Sequence, residues 1–197
     1  MPVSPSYIEK AVSYAQYRTL IDNLILENKT TGETQSADLF AYTRLNVHRM
    51  LRLEKQVRVG PAFVELLKKR RSKELWLVLA ESWCGDVAQN LPAIQKIAAE
   101  SPDIALKVLL RDENLELMDE FLTNGTRSIP KLISLDAETR EVKWHWGPRP
   151  APAQALMMSL KKDESLSQEE KAAKLHHWYS KDKTQTLQRE IMQLMTG

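Results

Sequence analysis

The chain has one cysteine, Cys84, within the stretch Glu81-Ser82-Trp83-Cys84-Gly85-Asp86-Val87. A cysteine attacks as its thiolate, so its neighbours decide what it can do. The apolar run Leu75-Trp76-Leu77-Val78-Leu79-Ala80 precedes this stretch, too short for a helix and without polar alternation, which predicts a buried strand. Val87, Leu91, Ile94 and Ala98 then recur at helical spacing, with Asp86 in the first turn where a negative charge suits the helix dipole. Cys84 therefore falls at a strand-to-helix junction, where backbone N–H groups stabilise a thiolate. The carboxylate of Asp86 opposes that stabilisation. A lone cysteine excludes an intramolecular disulfide and a cysteine-rich zinc site. At an arbitrary position it is most often a small buried hydrophobe, and only its placement gives it a chemical reading.

Other candidate groups are weaker. His176-His177 are adjacent on a helix and point about 100° apart, with no evident ligand set beside them, so no metal site is expected. Trp144-His145-Trp146 alternates on a strand, which places both tryptophans on one face as packing. Asp112-Glu113-Asn114 reads as a helix N-cap rather than an acid–base pair, and Lys68-Lys69-Arg70-Arg71 as a solvated helix end. The tyrosines Tyr14, Tyr17 and Tyr42 read as packing between helices.

The elements that must position Cys84 follow from the pattern around it. A chain of 197 residues with 43% hydrophobic and 27% charged residues can build its own core. A net charge of +2 is too small to argue for nucleic acid or a membrane surface as partner. No glycine-rich phosphate loop or basic recognition helix is present, and no cofactor is expected. No apolar run approaches the roughly 20 residues of a membrane helix, and residues 1–10 lack a signal-peptide pattern, so the expected location is cytoplasmic. Residues 7–27 predict one helix and residues 38–57 a second, a helical extension over 1–59. Strands at 75–80 and 104–110, separated by a helix, predict a parallel βαβ unit. A short helix at 114–122 leads to a hairpin of strands 131–135 and 142–146, then a helix through Leu160. Ser167 and Glu170 match a capping box opening a last helix to about Met195, within an extension over 163–197.

With these elements in place, residues 60–162 resemble the thioredoxin family. Trp83-Cys84-Gly85 after an apolar strand looks like its active-site entry, and Pro92 sits eight residues after the cysteine, where the family kinks its active-site helix. Gly125-Thr126-Arg127-Ser128-Ile129-Pro130 matches the loop ending in the family's cis-proline, and Gly147 the glycine near its site. The resemblance implies an α/β thioredoxin fold: a mixed four-stranded sheet, βαβ plus β-hairpin, flanked by helices.

The departures fall on the chemistry. The family's resolving cysteine would stand at Val87 and its buried aspartate at Val78, so reduction by a dithiol route is excluded. Two readings remain open. In one, Cys84 is a monothiol forming mixed disulfides with a thiol-containing protein or a low-molecular-weight thiol, with Trp83, Gly85, Asp86 and Val87 shaping its site and Ile129-Pro130 presenting backbone to the partner. In the other, the fold is a non-catalytic binding or scaffold module. The oligomeric state is left open.

Overall fold

The run that precedes Cys84 becomes the centre of a sheet. The computed structural model describes residues 2–197, in the order α1 (Pro5–Lys10), β1 (Val12–Ser13), α2 (Tyr14–Leu26), α3 (Ala37–Gln56), α4 (Pro61–Lys69), β2 (Glu74–Ala80) and α5 (Gly85–Ala99). It continues through β3 (Ile104–Leu110), α6 (Leu115–Asp119), β4 (Lys131–Asp136), β5 (Val142–Trp146), α7 (Ala151–Lys162), α8 (Gln168–Asp182) and α9 (Gln185–Thr196). The strand order is β1-β3-β2-β4-β5. β2 and β3 run parallel, in register at Val78 and Val108, while β4 is antiparallel to β2 and β5 to β4. From Trp76 to Ala80 every residue of β2 is fully buried, because helices cover both faces of the sheet; this is why the strand carries no polar alternation.

The sheet has five strands where the resemblance implies four. Residues 7–27 do not form one helix: the chain extends at Val12–Ser13 and pairs antiparallel with Val108 and Lys107 of β3. Without that pairing β3 would be an open edge, with its N–H and C=O groups unsatisfied. Ser13 then restarts the helix through a capping box with Gln16. The C-terminal helix is likewise broken, at Lys183 and Thr184, both of left-handed backbone. There the Asp182 carboxylate accepts from the Thr186 N–H, and α9 turns back so that Leu187, Ile191 and Met195 enter the main core. The break carries no glycine, so helical periodicity alone runs straight through it. Trp144 and Trp146 do pack: Trp144 meets Trp76 edge-on at 5.4 Å, and Trp146 lies buried with its indole N–H on Glu190 at 2.7 Å.

A carboxylate is sunk into the base of this core. Glu74 has no exposed side-chain surface, and its carboxylate accepts from Trp76 Nε1 at 2.9 Å and Ser134 Oγ at 2.8 Å, beside Arg70 and with Lys143 at 3.1 Å. Burial alone would raise its pKa, but the Trp76 and Ser134 hydrogen bonds and the Arg70 charge outweigh that and hold the carboxyl below its ordinary value near 4.5. Arg70, read from sequence as part of a solvated basic run, instead clamps Glu74 and the α9 carbonyl of Met195. Replacing Glu74 by Ala leaves Arg70 and the Trp76 N–H facing a hole, and should cost about 3–5 kcal/mol in urea unfolding at pH 7. A depressed folded-state pKa contributes stability above the unfolded value and loses it on acidification, so the gap between native protein and Glu74→Gln should close as pH falls below about 4.5.

Candidate functional site

Cys84 is the N-cap of α5, and the turn that delivers it, residues 81–84, is held from behind by the N-terminal extension. The Ser82 hydroxyl lies 3.0–3.1 Å from the hydroxyls of Thr30, Thr31 and Thr43, all buried, and the Ser82 N–H donates to Thr31 Oγ1 at 2.8 Å. The Ser82 carbonyl accepts from Asn46 Nδ2 on α3 at 2.9 Å, and Asn46 Oδ1 accepts from Arg49 at 2.9 Å. A buried loop otherwise leaves backbone polar groups unsatisfied, and this hydroxyl cluster answers them.

Cys84 itself is partly buried, and its thiol donates to the Ile129 carbonyl at 3.4 Å. The Ile129–Pro130 bond is cis, so the loop before β4 lies against the sulfur. Gly147 closes the same corner: at its φ of +121°, a Cβ would come within 2.1 Å of the Pro130 carbonyl oxygen, which only glycine avoids.

Asp86, two residues on, is buried and shared between two elements from the far end of the chain. Arg149 reaches its Oδ2 through Nε at 3.0 Å and through a second, shorter nitrogen contact, and the Tyr179 hydroxyl donates to Oδ1 at 2.7 Å. Asn90 donates to the Tyr179 oxygen at 3.0 Å and to the Asp86 carbonyl at 2.8 Å, while Gln154 accepts from Arg149 at 2.7 Å. The competition at Cys84 is thereby decided. Burial, then the Asp86 charge, push the thiol up to about 12, against the opposing pull of the Val87 and Asp86 backbone N–H groups and of Arg149.

The flanks complete the site. On one side the Arg111 guanidinium lies 5.0 Å over the Trp83 ring and donates to Asp112 Oδ1 at 2.8 Å. The Asp112 N–H donates to Glu81 at 2.9 Å; Glu81 is fully buried, and its other carboxyl oxygen has no partner. Burial raises the Glu81 pKa to about 7, against the hydrogen bond from the Asp112 N–H and the nearby Thr31 hydroxyl. On the other side, His176 of α8 and Arg49 of α3 converge over Gly85, where a Cβ would lie 3.3 Å from His176 Cε1 and 3.4 Å from Arg49 Nη1. Burial, then the Arg49 charge, lower the His176 pKa to about 4.

Trp83, Cys84, Gly85, Asp86, Ile129 and Pro130 thus meet at one corner, while Val87 points into the core. Sequence reasoning missed Arg149, Tyr179, His176, Arg49 and the hydroxyls on Ser82. Tyr179 lay in a packing stripe and His176 in a rejected metal pair, and nothing local marks either as a neighbour of Cys84. Among the described residues no three His, Cys, Asp or Glu side chains gather as metal ligands, and no helix is long and apolar enough to cross a membrane.

A single cysteine opening the helix that follows the central strand, facing a cis-proline across the corner of a mixed sheet, defines a thioredoxin-fold protein. The sequence matches the thioredoxin family over residues 32–174, and the chain belongs to that family. That match reaches past residues 60–162 at both ends. Among solved structures, a protein of unknown function from Pseudomonas aeruginosa is similar at 18% identity and a TM-score of 0.54, covering 93% of this chain and 97% of that one. An HIV epitope scaffold is similar at 18% identity and a TM-score of 0.53, covering 93% and 98%. At such identity the likeness concerns the fold. No curated protein matches the sequence.

Removing the Asp86 charge should bring the thiol down: in Asp86→Asn, Cys84 alkylation at pH 8 should speed by about tenfold for each unit of pKa lost, while Tm falls as Arg149 loses its anion. Glu81 gives a pH signature of opposite sign to Glu74. Its folded pKa exceeds the unfolded value near 4.5, so between about 4.5 and 7 the folded protein keeps a proton that the unfolded chain has lost. Stability should decline as pH rises through that window, and Glu81→Gln should be the more stable protein at pH 8, by on the order of 3 kcal/mol, and near neutral at pH 4.

Proposed function

We propose that this protein is a thioredoxin-fold recognition module that binds an extended segment of a partner protein at the Trp83–Pro130 corner and keeps Cys84 as a neutral thiol at rest. The observation that carries this reading is the seat of the sulfur: its thiol donates to the Ile129 carbonyl at 3.4 Å, in a place where burial, then the Asp86 charge, push its pKa up to about 12. At pH 7 a group so shifted rests as the neutral thiol. A nucleophile is needed as the anion, so a resting thiol of this kind is poorly suited to attack. The carboxylate that adds to the effect of burial is anchored by Arg149 and Tyr179, so it does not swing away at small cost. Backbone at Ile129–Pro130 and the aromatic face of Trp83 offer what extended-peptide recognition uses. The proposed setting is the cytoplasm, where the reducing pool keeps a lone thiol reduced.

A second reading has its own support. Cys84 is partly exposed, and two helix N–H groups and Arg149 pull its pKa down, so a partner that screened Asp86 would shift the balance toward the thiolate. As a monothiol, that thiolate would attack a disulfide of a protein or a low-molecular-weight compound. It would form one S–S bond, break another and expel the second sulfur as a thiolate; a further thiol from solution would then resolve the mixed disulfide. Val87 at the resolving position leaves no internal route.

Alkylation of Cys84 against pH, run beside trapping of mixed disulfides with glutathione disulfide and with cell extract, decides between the two. The module reading expects a rate still rising above pH 10 and no trapped disulfide. A titration near or below about 8.5 together with a disulfide on Cys84 would overturn it in favour of the monothiol.

A further inference from the structure

Beside the Cys84 junction, α3, α5, α8 and the turn into α9 enclose a second feature, a cavity of about 190 Å³. Leu53 and Val57 give it an apolar wall; Gln89 and Tyr179, both buried, line it with neutral polar groups. Its rim carries Arg52 and Lys183, both exposed. Neither they nor the half-buried Arg49, one helical turn before Arg52, has a carboxylate within ion-pair distance among the described residues. Arg49 is bonded to the uncharged Asn46 side chain at 2.9 Å. Asp86 attracts Arg49, but its two carboxyl oxygens are already taken by Arg149 and Tyr179. Arg49 and Arg52 repel one another: the Arg49 pKa is lowered by burial and then by Arg52, and burial together with the two arginines lowers that of His176. Gln89 lines the cavity and lies 3.3 Å from His176 Nδ1. Two exposed cations at the rim of a concave wall that is apolar in part, with no carboxylate in ion-pair distance, make a field that attracts an anion.

We propose that this cleft binds a small organic anion, its oxyanion head held by Arg52 and Lys183 at the rim and its apolar body laid against Leu53 and Val57. The site stands apart from Cys84 and does not depend on how the thiol is read. The lining brings no carboxylate: Tyr179 and Ser180 already donate to Asp86 and to the His177 carbonyl, and Gln89 is a neutral amide. Arg49, set back toward Gly85, adds its field without reaching the rim.

The test uses the full chain and the fluorescent sulfonate 8-anilinonaphthalene-1-sulfonate, which joins an oxyanion to an apolar body. Expected is saturable binding at one site that weakens with salt, with NMR shifts at the Gln89 side-chain amide. Arg52→Glu combined with Lys183→Asn should weaken it by at least about tenfold, a loss in keeping with removal of two charge contacts. Both side chains are exposed, and asparagine tolerates the left-handed backbone at 183, so the variant should fold; circular dichroism verifies this. A control with the same charge change elsewhere, Lys161→Glu with Lys162→Asn, should bind as the native protein does. Absence of saturable binding, binding unchanged in the Arg52 and Lys183 variant, or equal weakening in the control would overturn the proposal.

Discussion

The carboxylate of Asp86 is the point on which the site depends. It sits at the first turn of α5, 9% exposed, and a charge so placed costs several kcal/mol unless it is paired and hydrogen-bonded. Arg149 and Tyr179 provide the pair and the bond, and each belongs to a different part of the chain. Asn90 closes the circuit by holding both the Tyr179 oxygen and the Asp86 backbone. One interaction thus fixes the segment after β5, the face of α8 and the start of α5 relative to one another, and it adds to burial in disfavouring the neighbouring thiolate.

The N-terminal extension makes a parallel contribution from the opposite side. Hydroxyls from Thr30, Thr31 and Thr43 converge on Ser82, and Asn46 takes its carbonyl, so the turn delivering Cys84 is braced by groups more than thirty residues upstream. The two ends of the chain also meet over Gly85 through Arg49 and His176. The helices outside the βαβ and hairpin core therefore form the walls of the Cys84 corner. Their contribution is electrostatic as well as steric, since they bury His176 and bring the cations that add to burial in lowering its pKa.

Much of the fold was legible because its signals are local. A run of apolar residues without alternation reads as a strand buried on both faces, and β2 is fully buried from Trp76 to Ala80. Turn residues at 136–140 between two short runs read as the β4–β5 hairpin, and the Ser167–Glu170 box marked the start of α8. What escaped was set by distant partners. The two residues of β1 look helical in isolation and become a strand because β3 offers an open edge. The break between α8 and α9 has no glycine, and it is fixed by Asp182 and by the burial of α9 against the core.

By itself the sequence determined that there is one thiol, that it stands at the N-terminus of a helix after a buried strand, and that no second thiol follows at Val87. Those facts depend on residue identity and short-range spacing, and they exclude a dithiol mechanism whatever the packing. Only the tertiary structure decided the state of that thiol. The sequence sets a carboxylate and a helix N-terminus against each other, two effects of opposite sign. Their balance depends on how deeply the sulfur is buried and on what else touches Asp86, and those are properties of contacts between residues 63 and 93 positions apart. Burial tips the balance toward the neutral thiol, because desolvation penalises the anion and the nearby Arg149 charge is already committed to Asp86.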